Sequence, residues 1–521
     1  MTRIEHAQEL ITPRSGLALF AEVIRTLKVD QKVKNAFPVP GSYRGYEAWS
    51  YIEPRLLMLE GGGRRIEDLR EIRDDETLRR LVGLRRMPSL STFGDWMVRT
   101  GANGGVESLT GIGEEVADTI WRRLAREEDP LDVDATVIEA EKREAQWTLK
   151  KVKGYQPILG FIAEEGVCLT HEFREGNVAA QSGALAFLRR CLNLCPRIKY
   201  FRSDSAFYQA AVIDECEERG IGYTITADQD AGVKEVIKTV RDWQPLFTKE
   251  GERTDREVGT AIHLLRKAKE PVRLVVQRWR DPQLALFEPN GYCYHVIASN
   301  RDELKAQEVV WFHNQRGQVE NLIKELKIGF GMEQMTSGDF GANALWFAFG
   351  VLAYNLTQAQ KLLFLDEGWR SKTIATLRWQ LIQTAGQLVR HGRRLILRLA
   401  TSLEQYRLFL EIRRLCAAFH EQGRPFSRTV RVPLDQGPQY VAAEERGSKR
   451  YPNQTFLDMR LEKEFRLWKE IRLKLLIDVW NLLNSDAYHS VGSTNADSDA
   501  YLKGTQYDLP RQAQIGIRFV F

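Results

Sequence analysis

A chain of 521 residues that is 43% hydrophobic and 28% charged can bury sizeable cores and divides into several domains, which excludes a disordered protein. With 75 Lys+Arg against 70 Asp+Glu and a formal charge of +5, it is only mildly basic, so nucleic-acid binding has to come from local patches. The six cysteines lie between Cys168 and Cys416, without histidine partners at zinc-site spacing, as expected of reduced core thiols in a cytoplasmic protein.

The opening MTRIEHAQELITPRSG carries charges where a signal peptide needs an apolar core, and Ala342 to Tyr354, the most apolar run, is too short to span a bilayer as a helix. Residues 1–125 form an expected helical domain, with periodic apolar positions in SGLALFAEVIRTL, WSYIEPRLLMLEGG and IEDLREIRDDETLRRLVGL. Pro88-Ser-Leu-Ser-Thr92 supplies a turn and an N-cap before FGDWMVRTG, with Arg79, Arg80, Arg85 and Arg86 just upstream. A helix-turn-helix-like DNA reader and plain helical packing both fit this stretch.

At residue 126 the period changes. LDVDATVIEA, YQPILGFIAEEG and VCLTHEFREGN read as successive strands; helix AAQSGALAFLRRCL, strand IKYFRSD, helix QAAVIDECEERG and strand IGYTITAD follow. Strands followed by alternating helix and strand predict a mixed α/β sheet over 126–235. VRLVVQRWR and YCYHVIASN read as further strands. In HNQRGQVENLIKELK, helical winding places Val319, Leu322, Ile323 and Leu326 on one face and Arg316, Glu320, Lys324 and Lys327 on the other. Taken alone, that polar face is explained by i,i+4 ion pairs.

Two carboxylates resist explanation by packing. Asp134 interrupts the apolar pattern of Leu131, Val133, Val137 and Ile138, and Asp204 ends the strand after Lys199-Tyr-Phe-Arg-Ser203. Buried carboxylates need a partner or a metal, although a strand-end Asp also caps helices. With Glu320 they make three carboxylates, a set suited to two Mg²⁺ or Mn²⁺ ions in phosphoryl transfer. Arg316 and Lys327 would then hold nearby phosphates.

LDVDAT, YFRSDSAFY and the R-x3-E-x6-K helix of Arg316, Glu320 and Lys327 together resemble a bacterial insertion-sequence transposase of the DDE type over residues 1 to about 425. SGDFGANALWFAFGVLAYNL is similar to the helix that follows this signature. The resemblance implies an RNase H-like catalytic core split into residues 126–235 and 300–428, the latter including the C-terminal helices, by a β-rich insertion at 236–299. It implies metal-dependent nicking at transposon ends followed by cut-and-paste strand transfer, with transposon-end and target DNA as partners and a homodimer in the synaptic complex. Asp134, Asp204 and Glu320 would be the catalytic metal ligands, and Arg316, Lys327, Lys324 and His313 would contact DNA. His313 stands where the family usually has tyrosine; its imidazole can hydrogen-bond a phosphate. Within the insertion, Trp279 ranks ahead of Trp243 as a base-stacking candidate because Arg278 and Arg280 flank it and would share the opposite strand face, with core packing the alternative for either.

From 429 the character changes again. QTFLDMRLEKEF, IRLKLLIDVWNLLNS and RQAQIGIRFVF alternate apolar and polar residues, and the last ends on Phe521. This β-strand-rich tail resembles the end of a TonB-dependent outer-membrane receptor; a small soluble β-domain is the alternative. Too few strands are present to close a barrel, so a fusion without functional membrane insertion is expected. The function classes are therefore an active transposase, a DNA-binding relic without catalysis, and a receptor fragment.

Overall fold

The computed structural model describes residues 9–41, 45–124, 126–280, 291–391 and 394–419, and beyond these only the strand segments named below. The first eight residues, position 428 and Phe521 lie outside the described residues. The chain forms two compact units, Met1–Phe409 and Leu410–Phe521.

Strand β1 (Ile11–Thr12) precedes helices α1 (Gly16–Thr26), α2 (Val29–Ala36), α3 (Trp49–Glu60), α4 (Leu69–Arg73), α5 (Glu76–Val82), α6 (Leu90–Gly101) and α7 (Gly105–Arg123). Their ends are written locally. Asp75 Oδ1 accepts from the Leu78 amide at 2.7 Å to start α5, and Gly83, at φ 80°, stops it. Ser89 Oγ accepts from the Thr92 amide at 3.1 Å, so the predicted cap is present. The inner face of α6 buries Phe93, Trp96 and Met97, and Trp96 stacks on Tyr51 with ring centroids 4.5 Å apart. That face is packing; the exposed Arg85 and Arg86 lie outside it.

The second element group is β2 (Asp129–Ala135), β3 (Ile138–Glu139), β4 (Gln146–Trp147), β5 (Lys153–Tyr155), β6 (Ile158–Ile162), β7 (Val167–Glu172), α8 (Ala184–Leu194), β8 (Ile198–Ser203), α9 (Ala210–Arg219), β9 (Gly222–Thr226), α10 (Ala231–Ile237), β10 (Gln244–Phe247), β11 (Arg253–His263), β12 (Val272–Arg280) and β13 (Tyr292–Ser299). Nine of these strands make one mixed sheet in the order β10-β11-β12-β13-β9-β8-β2-β6-β7. Strand β8 runs parallel to both β2 and β9, while β6 and β7 are antiparallel neighbours. The inserted strands are thus a continuation of the central sheet: β13 pairs antiparallel with β9, Ile297 opposite Thr226. Strands β3, β5 and β4 form a small separate sheet beside it.

Helices α11 (Ala306–Asn314) and α12 (Gly317–Lys324) follow, then a π-helical turn, Glu325–Gly329, and α13 (Phe340–Leu363). The signature segment predicted as one helix is therefore broken at Gln315–Arg316 and unwound after Lys324. Asp339 caps α13 by accepting from the Ala342 amide at 2.8 Å. Helix α13 is buried all round from Ala342 to Lys361, polar Asn343, Asn355 and Gln360 included, because α3, α6 and α7 pack against it. A Cβ on Gly101 would lie 2.3 Å from the Gly341 carbonyl oxygen, so the end of α6 and the start of α13 meet backbone to backbone. Among the described residues no helix is long and apolar enough to cross a membrane. A short α14 (Ile374–Leu377), the hairpin β14 (Gly386–His391) and β15 (Arg394–Leu399), and α15 (Leu403–Ala417) come next; β1 pairs with β14. The cysteines make no disulfide among the described residues, and Cys168, Cys191, Cys195 and Cys216 are buried, as expected of core thiols.

In the second unit, strands β16 (Pro425–Phe426), β17 (Thr429–Val432), β18 (Gln439–Ala442), β19 (Lys449–Arg450), β20 (Met459–Trp468), β21 (Ile471–Trp480), β22 (Tyr488–Val491), β23 (Gly504–Tyr507) and β24 (Gln512–Val520) are described. The long ones pair antiparallel as β20-β21-β24, with Leu461 opposite Ile477 and Ile477 opposite Ile515.

Candidate functional site

Two parallel strands bring the first pair of carboxylates together. In the β2/β8 register Asp132 is opposite Arg202 and Val133 opposite Ser203, so Asp134 and Asp204 follow at the C-terminal ends of neighbouring strands, about 5 Å apart in strand spacing. Asp134 Oδ1 accepts from the Ala135 amide at 2.9 Å, and Asp204 Oδ1 accepts from the Ala206 amide at 3.1 Å. The capping role weighed for Asp204 is therefore real and coexists with its place beside Asp134.

Burial pushes the Asp134 carboxyl up to about 6, and the Asp204 and Glu320 charges push the same way against the Arg316 guanidinium. Burial also raises Asp204, opposed by the Ala206 hydrogen bond and Arg316, with Asp228 adding repulsion. Asp228 is an exposed residue just beyond β9. Its signal in the sequence is the one Asp204 carries, a carboxylate at the end of a strand.

Helix α12 delivers the third carboxylate. Arg316 occupies its N-cap position and approaches Glu320 at 4.0 Å; the Glu320 side chain is 67% exposed. Val319, Ile323 and Leu326 are buried beneath the helix, as the periodicity predicts. Among the described residues, no three acidic, histidine or cysteine side chains as placed are grouped tightly enough to hold one ion. Asp134 and Asp204 are paired, and Glu320 leans toward Arg316.

Beneath these carboxylates runs a buried strut. Arg202 and Asp132 are both fully buried and joined twice, Nε to Oδ1 at 2.6 Å and Nη2 to Oδ2 at 3.0 Å. Arg202 Nη1 also donates to the Phe312 carbonyl at 3.3 Å and to Gln315 Oε1 at 3.0 Å. Strand period places Asp132 and Arg202 on the same faces as Asp134 and Asp204, and Gln315 immediately precedes Arg316. One guanidinium thus ties β8 to β2, to the end of α11 and to the turn that leads into α12. In sequence the only sign was charge in the apolar pattern two residues before each aspartate.

His313 is corrected from a DNA contact to a core residue. It is 3% exposed, with Nδ1 3.1 Å from Thr224 Oγ1 and Nε2 3.0 Å from Thr226 Oγ1. Burial, then the charges of His295 and Arg316, push its pKa down to about 3, so the ring is neutral and has no face for a phosphate. Lys327 is half-buried in the π-helical turn and donates from Nζ to the Val137 carbonyl at 2.8 Å, while Lys324 is exposed. Trp279 is half-buried, with Arg256 4.4 Å above its ring. Arg278 lies on the opposite strand face, between Trp243 at 4.0 Å and Tyr292 at 4.5 Å.

The family model described as "Transposase DDE domain group 1" matches residues 3–418. No curated protein matches the chain. Among solved structures, the cryo-EM structure of the piggyBac transposase synaptic complex with hairpin DNA is similar at 11% identity, with a TM-score of 0.40, over 72% of this chain and 83% of that one.

Proposed function

Since the chain belongs to the transposase DDE domain group 1 family, we propose that it nicks DNA at the ends of a transposable element and joins the freed 3′ end to target DNA by a cut-and-paste route. The observation that carries this reading is the Asp134–Asp204 pair at adjacent strand ends, with Arg316 and Glu320 above it. The order β9-β8-β2-β6-β7, with β8 parallel to its neighbours, supports an RNase H-like core, to whose β9 edge the insertion adds strands. A homodimer in the synaptic complex and a cytoplasmic location belong to the same proposal.

Asp134 and Asp204 supply oxygen donors of the kind hard divalent ions take, with Arg316 offsetting their charge, and Glu320 would have to turn from Arg316 to join them. Asp134, Asp204 and Glu320 would hold two Mg²⁺ or Mn²⁺ ions, which when bound supply activation of the attacking oxygen and stabilisation of the leaving one. The protein's own contribution is positioning: Arg202 holds β2 and β8 to the turn before α12, and Arg316 and Lys324 of α12, with Lys327 of the π-helical turn, would offer charge to the phosphates of the scissile strand. Trp279 is the insertion's candidate for base stacking.

The test is divalent-dependent nicking of an oligonucleotide carrying the element's own terminal repeat. A protein that binds that end but leaves it intact in Mg²⁺ and Mn²⁺ is the relic instead.

Protonation gives an independent check. The Asp134 carboxyl has a folded pKa of about 6 against 3.8 for a free one, so it binds its proton more tightly when folded. Its stabilising contribution is complete below about pH 4 and is lost as pH rises through 6. Asp134→Asn is therefore expected to raise stability at pH 7 by at most about 3 kcal/mol, and the gain should vanish near pH 4. Millimolar Mn²⁺ should raise the melting temperature of the native protein and not of the variant. An equal Mn²⁺ shift in both removes Asp134 from the ligand set.

The tail reads as the end of a TonB-dependent receptor fused to the transposase, a passenger without a part in catalysis. Ending the chain near residue 428 should leave end cleavage unchanged and raise the soluble fraction, since edge strands promote aggregation. A folded, truncated protein that no longer cleaves refutes the passenger role.

A further inference from the structure

The small sheet beside the carboxylates ends in a tip that packing does not explain. Trp147 is 66% exposed and Leu149 79% exposed, and large apolar side chains standing in water together mark contact surfaces. The turn holding them is well formed. The Thr148 amide donates to the Val152 carbonyl at 2.8 Å, Thr148 Oγ1 to the same oxygen at 2.9 Å, and the Lys151 amide to the Thr148 carbonyl at 2.9 Å. Lys151 holds φ 61°, a left-handed conformation costly for any residue but glycine.

From Gln146 to Lys153 the tip reads QWTLKKVK, three lysines and no carboxylate. It also stands close to the candidate site. Strand β3 leaves β2 just after Asp134 and pairs with β5, and Lys327 is bonded to Val137 in the connecting segment. Lys150 is near enough to Lys327 to lower its pKa, behind the larger effect of burial. Trp279, by contrast, has Arg256 over its ring.

We propose that this tip is a strand-binding finger, in which Trp147 stacks on an unpaired base of the DNA strand next to the cleavage position while Lys150, Lys151 and Lys153 hold its phosphates. An indole face accepts any base, but only one already out of the duplex stack, and ammonium groups supply the sequence-independent attraction. The lysines favour a polyanion over a second protein surface as the occupant. The inference rests on the transposase reading above.

The experiment measures binding of the full chain, in EDTA to prevent cleavage, to two labelled DNAs: a blunt terminal-repeat duplex and the same duplex with a single-stranded extension at the cleavage position. Trp147→Ala should weaken binding to the extended DNA by roughly 5- to 150-fold and leave the blunt duplex nearly unchanged, whereas Trp147→Phe should keep most of the affinity. Changing the three lysines to glutamine should lower the salt slope for the extended DNA by about 2. Native-like affinity of Trp147→Ala for the extended DNA overturns the finger alone; if that variant also sediments as a smaller species, the tip is a contact between copies. A native protein that binds neither DNA overturns the transposase reading and the finger with it.

Discussion

Asp134→Ala, Asp204→Ala and Glu320→Ala should each cut a terminal-repeat duplex at less than roughly one part in 10³ of the native rate while binding it with nearly native affinity. Asp134 and Asp204 sit at the ends of paired strands where burial and neighbouring charge oppose their ionisation, so either alanine relieves the fold while removing a ligand that the proposed function requires. Glu320 is exposed on α12, so its loss should leave stability unchanged. The comparison is a filter-binding titration alongside a single-turnover nicking assay in Mg²⁺. A variant that nicks within tenfold of the native rate takes its residue off the catalytic set, and one that loses binding and cleavage together points to docking rather than chemistry.

The second large effect belongs to Arg202. Arg202→Met should cost about 3–5 kcal/mol of stability, because it strands the fully buried Asp132 carboxylate without its partner. Adding Asp132→Leu should recover most of that loss, since a matched apolar pair carries no desolvated charge. The double variant should nevertheless cleave poorly, as Phe312 and Gln315 would have lost their tie to β8. Urea denaturation followed by circular dichroism reads the first two outcomes, and nicking reads the third. A single variant within about 1 kcal/mol of native would show that the pair is dispensable to the fold.

Much of the core was legible in the sequence. Most strands and helices from Asp129 to Thr226 follow the periodicity, since alternation and 3.6-residue spacing are local properties, but LDVDATVIEA, which reads as one strand, breaks after Ala135 into β2 and β3 of two different sheets. Asp134 and Asp204 stood out because each breaks an apolar pattern. Long-range pairing was not legible: nothing local says that Arg202 faces Asp132, that β13 docks on β9, or that His313 is enclosed by Thr224 and Thr226. The break at Gln315–Arg316 was hidden because the amphipathic pattern runs through it. Trp147 escaped notice since an exposed tryptophan and a core one read alike in a sequence.

The strut between Arg202 and Phe312 closes over 110 residues of chain, with the sheet-extending strands β10 to β13 made in between. At roughly 5–20 residues per second of synthesis, Asp134 emerges from the ribosome roughly 9–37 s, and Asp204 roughly 6–23 s, before Glu320. Strand β2 can pair with β6 and β8 in that interval, but the carboxylate set is still incomplete. On the proposed function, a nascent chain is expected to leave the DNA around it intact until the inserted strands have docked, so that the position of the insertion would delay nicking.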